Sequence, residues 1–179
     1  CMSGTRTSLL EDIKEWAMNP ASSRAYLLHG TAGKGKSAIA HTAAMLLEKA
    51  GAITPFCAFD RSDAIGRSAR HLFPTLAYQL GRRNPLYSQW LCDLPVVDLA
   101  SLDLVEQAKN LFINGLRNDT VATPVIFVID ALDECPHAGI RAAVDRSSLL
   151  DQLGDLLAST RLPPDVRFLV TYRPEDDIV

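Results

Sequence analysis

Eight consecutive residues constrain this chain more than any others. Gly30-Thr31-Ala32-Gly33-Lys34-Gly35-Lys36-Ser37 match the pattern GxxxxGK[ST] at every fixed position. Given the rarity of these residue types, a chance match is on the order of one in a hundred. The pattern has chemistry only if a strand delivers it and a helix leaves it. Both flanks comply. Arg24 to His29 is a brief apolar segment that reads as a buried strand, and Ser37 to Lys49 is rich in helix formers and closed by Gly51, where a left-handed cap belongs. Glycines let such a loop turn its successive N–H groups inward, and the helix that starts near Ser37 adds its positive end beneath an anion. Gly30 through Ser37, with Ala38 on the helix, are therefore candidate phosphate contacts. Lys36 is placed for β- and γ-phosphates and Ser37 for Mg²⁺. Lys34 fills a variable position, where a solvated charge competes with a second phosphate ligand.

The rest of the chain repeats the alternation. Ser8-Leu9-Leu10-Glu11 is a capping box opening a short amphipathic helix that Asn19-Pro20 stops. Ile53 to Phe59 reads as a second strand, with a proline near its start. Leu72 to Leu80 reads as a helix with Pro74 in its first turn and Gly81 as its cap. Arg82 to Ala100 reads as loop. Leu104 to Leu116 keep helical spacing behind a Ser101 cap, Val125 to Ile129 is an uninterrupted β-branched run, Leu149 to Leu157 is helical, and Val166 to Thr171 is a last strand. Strands alternating with helices predict an α/β fold with a parallel sheet and right-handed crossovers.

Two strand ends carry further polar groups. Val125-Ile126-Phe127-Val128-Ile129-Asp130 is an apolar strand ending in a carboxylate at the sheet edge where α/β folds bind ligands. Alone, such an aspartate could merely cap the next turn; beside the phosphate loop it becomes a Walker B pattern. Asp130 is then the candidate Mg²⁺ partner, and Asp133-Glu134 the candidates to orient and deprotonate a water. Phe168 to Pro174 delivers Arg173 to the same edge. The competing reading for Arg173 is a surface pair with Glu175 or Asp176. Asp60-Arg61 is a weaker candidate of the same kind, with a salt bridge the better assignment for Arg61. His29, His41, His71 and His137 show no ligand spacing, and Trp16 and Trp90 read as core or loop anchors.

Composition excludes other classes. At 179 residues the chain is one domain, long enough to bury about 70% of its unfolded surface. Eighteen basic against 21 acidic residues give a net charge of −3, with the basic residues scattered, so no nucleic-acid footprint is present. No apolar run is long enough to span a bilayer and no leader pattern opens the chain, which points to a cytoplasmic protein. Cys1, Cys57, Cys92 and Cys135 fit neither zinc spacing nor a disulfide scaffold and are expected to be reduced, mostly buried thiols.

The segments GTAGKGKS, FDR, LFPTLAYQL, VIFVIDALDEC and VRFLVTYRP, in this order, resemble the NACHT nucleotide-binding domain of NOD-like receptors, particularly the fungal form. The resemblance covers nearly the whole chain. It implies a P-loop NTPase of the STAND class: a three-layer sandwich with a mostly parallel sheet in the order 5-1-4-3-2. It also implies that the aspartate ending the Walker B strand is followed by a spaced acidic pair, here Asp133-Glu134 after Ala131-Leu132. In AAA+ proteins the glutamate follows directly. The first sensor of the family is an arginine before proline, here Arg173; Tyr172 stands where serine is more usual. Gly4-Thr5-Arg6 resembles the entry segment that runs near base and sugar, so Thr5 and Arg6 join the candidate nucleotide contacts.

By the same resemblance, residues 1–179 form a single NACHT-type domain of a molecular switch, ending before the fifth strand and before helical and winged-helix domains. The expected function is Mg²⁺-dependent binding and hydrolysis of a nucleoside triphosphate, ATP and/or GTP, with receptor self-association in the full-length protein and an innate-immunity-type role. Two alternatives stand beside it. One is a regulatory nucleotide-binding and oligomerisation module with little turnover. The other is a P-loop small-molecule kinase, which would need a mobile lid, for which 82–100 with Arg82-Arg83 is the one candidate.

Overall fold

The computed structural model describes residues 6–60, 68–94, 101–117, 121–136 and 138–174. Its centre follows from the uninterrupted run of apolar residues at Val125. Each of its side chains is buried on one face or the other, which only a sheet covered by helices on both sides allows. The strands among the described residues are β1 (Ala25–His29), β2 (Phe56–Ala58), β3 (Val125–Asp130) and β4 (Val166–Tyr172). All pair in parallel, in the order β1-β4-β3-β2, which is the 1-4-3-2 part of the expected arrangement. All of β3 and β4 is buried, whereas β1 is only partly so.

The period of two along β3 and β4 divides the core. Ile126, Val128 and Leu169 pack with Ile13 and Trp16 of helix α1 (Thr7–Met18) and Ile39, Ala43 and Leu47 of α2 (Lys36–Lys49). Phe127, Ile129, Phe168 and Val170 face α3 (Leu72–Gly81), α4 (Pro85–Cys92), α5 (Leu104–Ala108) and α6 (Ile140–Ala158). Helix, sheet, helix is the expected three-layer sandwich. At about 1.5–3 kcal/mol for each large apolar side chain buried, these two faces dominate the folding energy. Arg167 is buried in β4, where its guanidinium donates to the carbonyls of Ala17 (2.9 Å) and Asn19 (2.7 Å) and so satisfies the C-terminal end of α1.

Several local expectations are corrected. Helix α1 begins one residue before Ser8, after Arg6 in the left-handed region (φ 59°), and Arg6 makes no side-chain cap. A tertiary contact sets this entry: a Cβ on Gly35 would stand 3.6 Å from Nη1 of Arg6. Gly81 is the last helical residue of α3 rather than a left-handed cap. Its missing side chain serves packing, since a Cβ there would come within 2.9 Å of Cδ1 of Leu91 on α4. The segment read as loop holds α4, capped by Asn84, whose side chain accepts from the amide of Tyr87, with Pro85 at the first helical position. The cap before α5 is Asp103, not Ser101, and the helical run after α5 widens into a π-helical turn over Lys109–Ile113. The second strand shrinks to Phe56–Ala58, with Ile53 in an isolated bridge to Val125 on the other side of Pro55. Of the described cysteines, Cys135 is buried, Cys57 half-buried and Cys92 exposed, all unbridged, so "mostly buried" fails at Cys92. Burial pushes the Cys57 thiol up to about 11, which keeps it protonated and inert at neutral pH. Thr5, Arg61, His137 and the alternative partners Glu175 and Asp176 lie outside the described residues.

Candidate functional site

Parallel strands place their carboxyl ends on one edge, and the order β1-β4-β3 puts three strand ends side by side. From β1 the chain enters the phosphate loop. Gly33 (φ 74°) and Gly35 (φ 76°) both take left-handed conformations that a Cβ would oppose, and Gly35 hands over directly to α2, which starts at Lys36. The Lys36 ammonium folds back onto the loop, donating to the carbonyls of Gly30 (2.5 Å) and Thr31 (3.3 Å).

β3 and β4 supply the opposite wall. Asp130 ends β3 nearly buried, and the hydroxyl of Thr171 donates to its Oδ1 (2.5 Å) while accepting from the amide of Ala131 (3.0 Å). Ala131 takes a left-handed φ of 55°, and a 3-10 turn over Leu132–Glu134 then carries the acidic pair. Asp133 is buried. Its Oδ1 accepts from the amide of Arg173 (2.9 Å), and its Oδ2 stands 3.3 Å from Nε of Arg173. Glu134 Oε1 lies 3.2 Å from Nη2 of the same guanidinium, whose side chain remains 41% exposed. Arg173 thus faces Asp133 and Glu134.

Between the walls opens a cleft of about 200 Å³, lined by Ala32 through Ser37 on one side and by Ala131, Asp133, Glu134, Thr171 and Arg173 on the other. Ligand pockets commonly run to about 300–1,000 Å³; this cleft suits a phosphate chain better than a whole nucleotide. Cations and backbone N–H groups line one wall, carboxylates and a guanidinium the other. Gly30, Thr31, Ala38 and Asp130 do not line it. Arg6 is exposed and lies against Gly35 without lining the cleft.

Residues 4–173 match the family described as nephrocystin 3, N-terminal. The chain belongs to that family. Among solved structures, the chain is similar to the Walker-type ATPase PABY2304 of Pyrococcus abyssi, at 17% identity and a TM-score of 0.52 over 93% of this chain. That similarity shows the fold of a P-loop NTPase-like domain. The chain spans less than half of that ATPase, 44% of its length. No curated protein sequence matches it.

Thr171 lies in the strand read from Val166 to Thr171, where the sequence alone assigns it no role. Its signal is a hydroxyl that follows the apolar Phe168-Leu169-Val170, and at 0% exposure it must satisfy that hydroxyl internally. Tyr172 is a core residue beside His29, at a ring separation of 6.0 Å, so the hydroxyl at this strand end comes from Thr171. Of the lid candidate 82–100, the described part contains α4, anchored by buried Tyr87, whose hydroxyl donates to the carbonyl of Leu111 (2.6 Å). Arg83 pairs with Glu48, twelve residues along α2 from Lys36 and so about 18 Å from the phosphate loop.

Proposed function

We propose that this domain is an Mg²⁺-dependent nucleoside triphosphatase, acting on ATP and/or GTP as the nucleotide switch of a larger, cytoplasmic protein of the NOD-like receptor type. The observation that carries the reading is the single cleft in which Lys36 and Ser37 face Asp133, Glu134 and Arg173 across about 200 Å³. On binding, Lys36 would exchange the carbonyls of Gly30 and Thr31 for phosphate oxygens, while the amides of Ala32 to Ser37 hold the β-phosphate. Glu134 would take a proton from a water that attacks the terminal phosphorus. The β–γ anhydride bond then breaks, releasing diphosphate and inorganic phosphate. Arg173 would move from the acidic pair to the terminal phosphate and balance its charge.

The donor set fits magnesium. Ser37 and Asp130 offer a hydroxyl and a carboxylate, hard oxygens for an ion that is usually held by one or two protein groups plus substrate phosphates. No cluster of three or more His, Cys, Asp or Glu that would form an all-protein cage occurs among the described residues. Bound there, the ion would neutralise charge on the phosphates.

The receptor context, with helical and winged-helix domains after residue 179 and self-association in the full-length protein, belongs to the same proposal. So do the contacts of Thr5 and Arg6 near base and sugar. No helix among the described residues is long and apolar enough to cross a membrane. A regulatory module with little turnover has its own supporting observation: Glu134 is ion-paired to Arg173 and must be released before it can act as a base. Phosphate release from ATP, GTP, CTP and UTP, with and without Mg²⁺, tests both. Mg²⁺-dependent release lost in Glu134→Gln supports the hydrolase. Tight binding with no release supports the regulatory module.

A further inference from the structure

Behind the acidic turn lies a second arginine that the chemistry above does not use. Arg146, on α6, is 2% exposed, and its Nη1 donates to the carbonyls of Asp133 (3.2 Å) and Cys135 (2.6 Å). A guanidinium removed from water is costly unless its donors are satisfied, and an apolar side chain would fill a core position at no such cost. Leu149, Leu153 and Leu156 do so along the same helix. The charge at 146 therefore calls for a reason, and the turn supplies one. Three residues of 3-10 helix, entered through a left-handed alanine, are held by two main-chain bonds, from Glu134 to Ala131 (2.8 Å) and from Cys135 to Leu132 (3.1 Å). Turns this short have poor intrinsic stability. Carbonyls 133 and 135 face the interior, where Arg146 meets them, while carboxylates 133 and 134 face the cleft, where Arg173 meets them.

Helix α6 is itself fixed at this point. Asp145, the neighbour of Arg146, accepts two bonds from Arg70 (3.0 and 2.9 Å), which ties α6 to the segment before α3. We propose that Arg146 is a positioning residue for hydrolysis: it fixes the main chain of Asp133 to Cys135 so that the Glu134 carboxylate is aimed at the attacking water. This rests on the hydrolase reading. It assigns the two arginines opposite duties. Arg173 is the exchangeable partner of the acidic pair, and Arg146 is its fixed support.

The test uses Arg146→Met, which keeps an unbranched apolar stem and removes the charged donors, and Arg146→Lys, which restores the charge and a donor nitrogen. Since misplacing a catalytic group by 1 Å can cost on the order of 10²-fold, kcat of Arg146→Met should fall about 10- to 100-fold with KM and diphosphate affinity within about twofold. The amides of Glu134 and Cys135 should lose hydrogen-exchange protection while Ile39 and Ala40 in α2 keep theirs. Arg146→Lys should recover part of both. Arg146→Gln, uncharged but with donors, takes the place of the methionine variant if that one does not fold, and should show the same split. Unchanged kcat with unchanged protection overturns the proposal. So does equal loss of protection in α2 and the turn, or a lysine variant no better than methionine. Wild type and Glu134→Gln are assayed alongside. If neither hydrolyses, the hydrolase reading fails, and if both do equally, Glu134 is not the base; in either case the exchange data alone still decide whether Arg146 holds the turn.

Discussion

The two walls of the cleft are built on different principles. The phosphate-loop wall is local: its glycine conformations, helix start and folded-back Lys36 all lie between residues 30 and 37. The acidic wall is assembled from β3, β4 and α6, with Thr171 on Asp130 and Arg173 on Asp133 and Glu134 across 39 to 41 residues of sequence. A wall made of main chain tolerates many side-chain changes and offers fixed dipoles. A wall made of distant side chains can rearrange where its contacts are exchangeable pairs, as those of Arg173 with Asp133 and Glu134 are. Binding is therefore expected to belong to the first wall and turnover to the second.

Substitutions at the two walls should separate those properties. Glu134→Gln removes the proposed base and nothing from the loop, so turnover should fall by about 10²-fold or more with Mg²⁺–nucleotide affinity nearly unchanged, as single-turnover kinetics and calorimetry would show. If this variant hydrolyses normally, Asp133 becomes the candidate base. Lys36→Ala should do the reverse, weakening nucleotide binding well over tenfold in a folded protein, since it deletes the charge proposed to face the β- and γ-phosphates. Unchanged calorimetric affinity would remove Lys36 from the site and break the division between the walls.

Arg173 links the walls, and its effect should be intermediate. Its main-chain amide holds Asp133 whatever the side chain, so Arg173→Ala should leave the turn in place. The preference for triphosphate over diphosphate should drop about tenfold, the value of one charge-assisted contact. Equal loss for both nucleotides in competition binding would show Arg173 holding the loop or an inner phosphate instead.

What could be read from sequence follows the same division. The phosphate loop and the strand ending at Asp130 were legible because a fixed spacing or an unbroken apolar run encodes each within a dozen residues, whereas the strand order came only through the resemblance to NACHT domains. The cap of α1, the role of Gly81, the support of Arg146 and the hydroxyl of Thr171 were not. Arg6 leaves the capping box unused because it is placed against Gly35, and Gly81 is required by Leu91 ten residues later. Helix α4 had a readable start in Asn84-Pro85, but the polar and proline-bearing stretch around it masked eight helical residues. Long-range contacts leave no periodic trace.

Thr171 gives the smallest and most pointed test of the acidic wall. Its hydroxyl is the only atom of the side chain that distinguishes it from valine in shape, and it serves two groups at once: it donates to Asp130 and accepts from the amide of Ala131. Thr171→Val fills the same buried space, so no cavity term enters. It leaves the Ala131 amide without that acceptor, at about 1–2 kcal/mol, which for a domain of this size lowers Tm by about 2–6 °C. The Asp130 carboxylate also loses its orienting donor, so the Mg²⁺ concentration needed for half-maximal turnover should rise a few-fold, while nucleotide affinity without Mg²⁺ stays the same. Thr171→Ser should restore the Mg²⁺ response even if its missing methyl costs stability. That pair of variants separates orientation from packing: a Mg²⁺ response that tracks Tm in both would make Thr171 a core residue only, whereas recovery in serine alone ties the carboxylate geometry of β3 to a hydroxyl on β4.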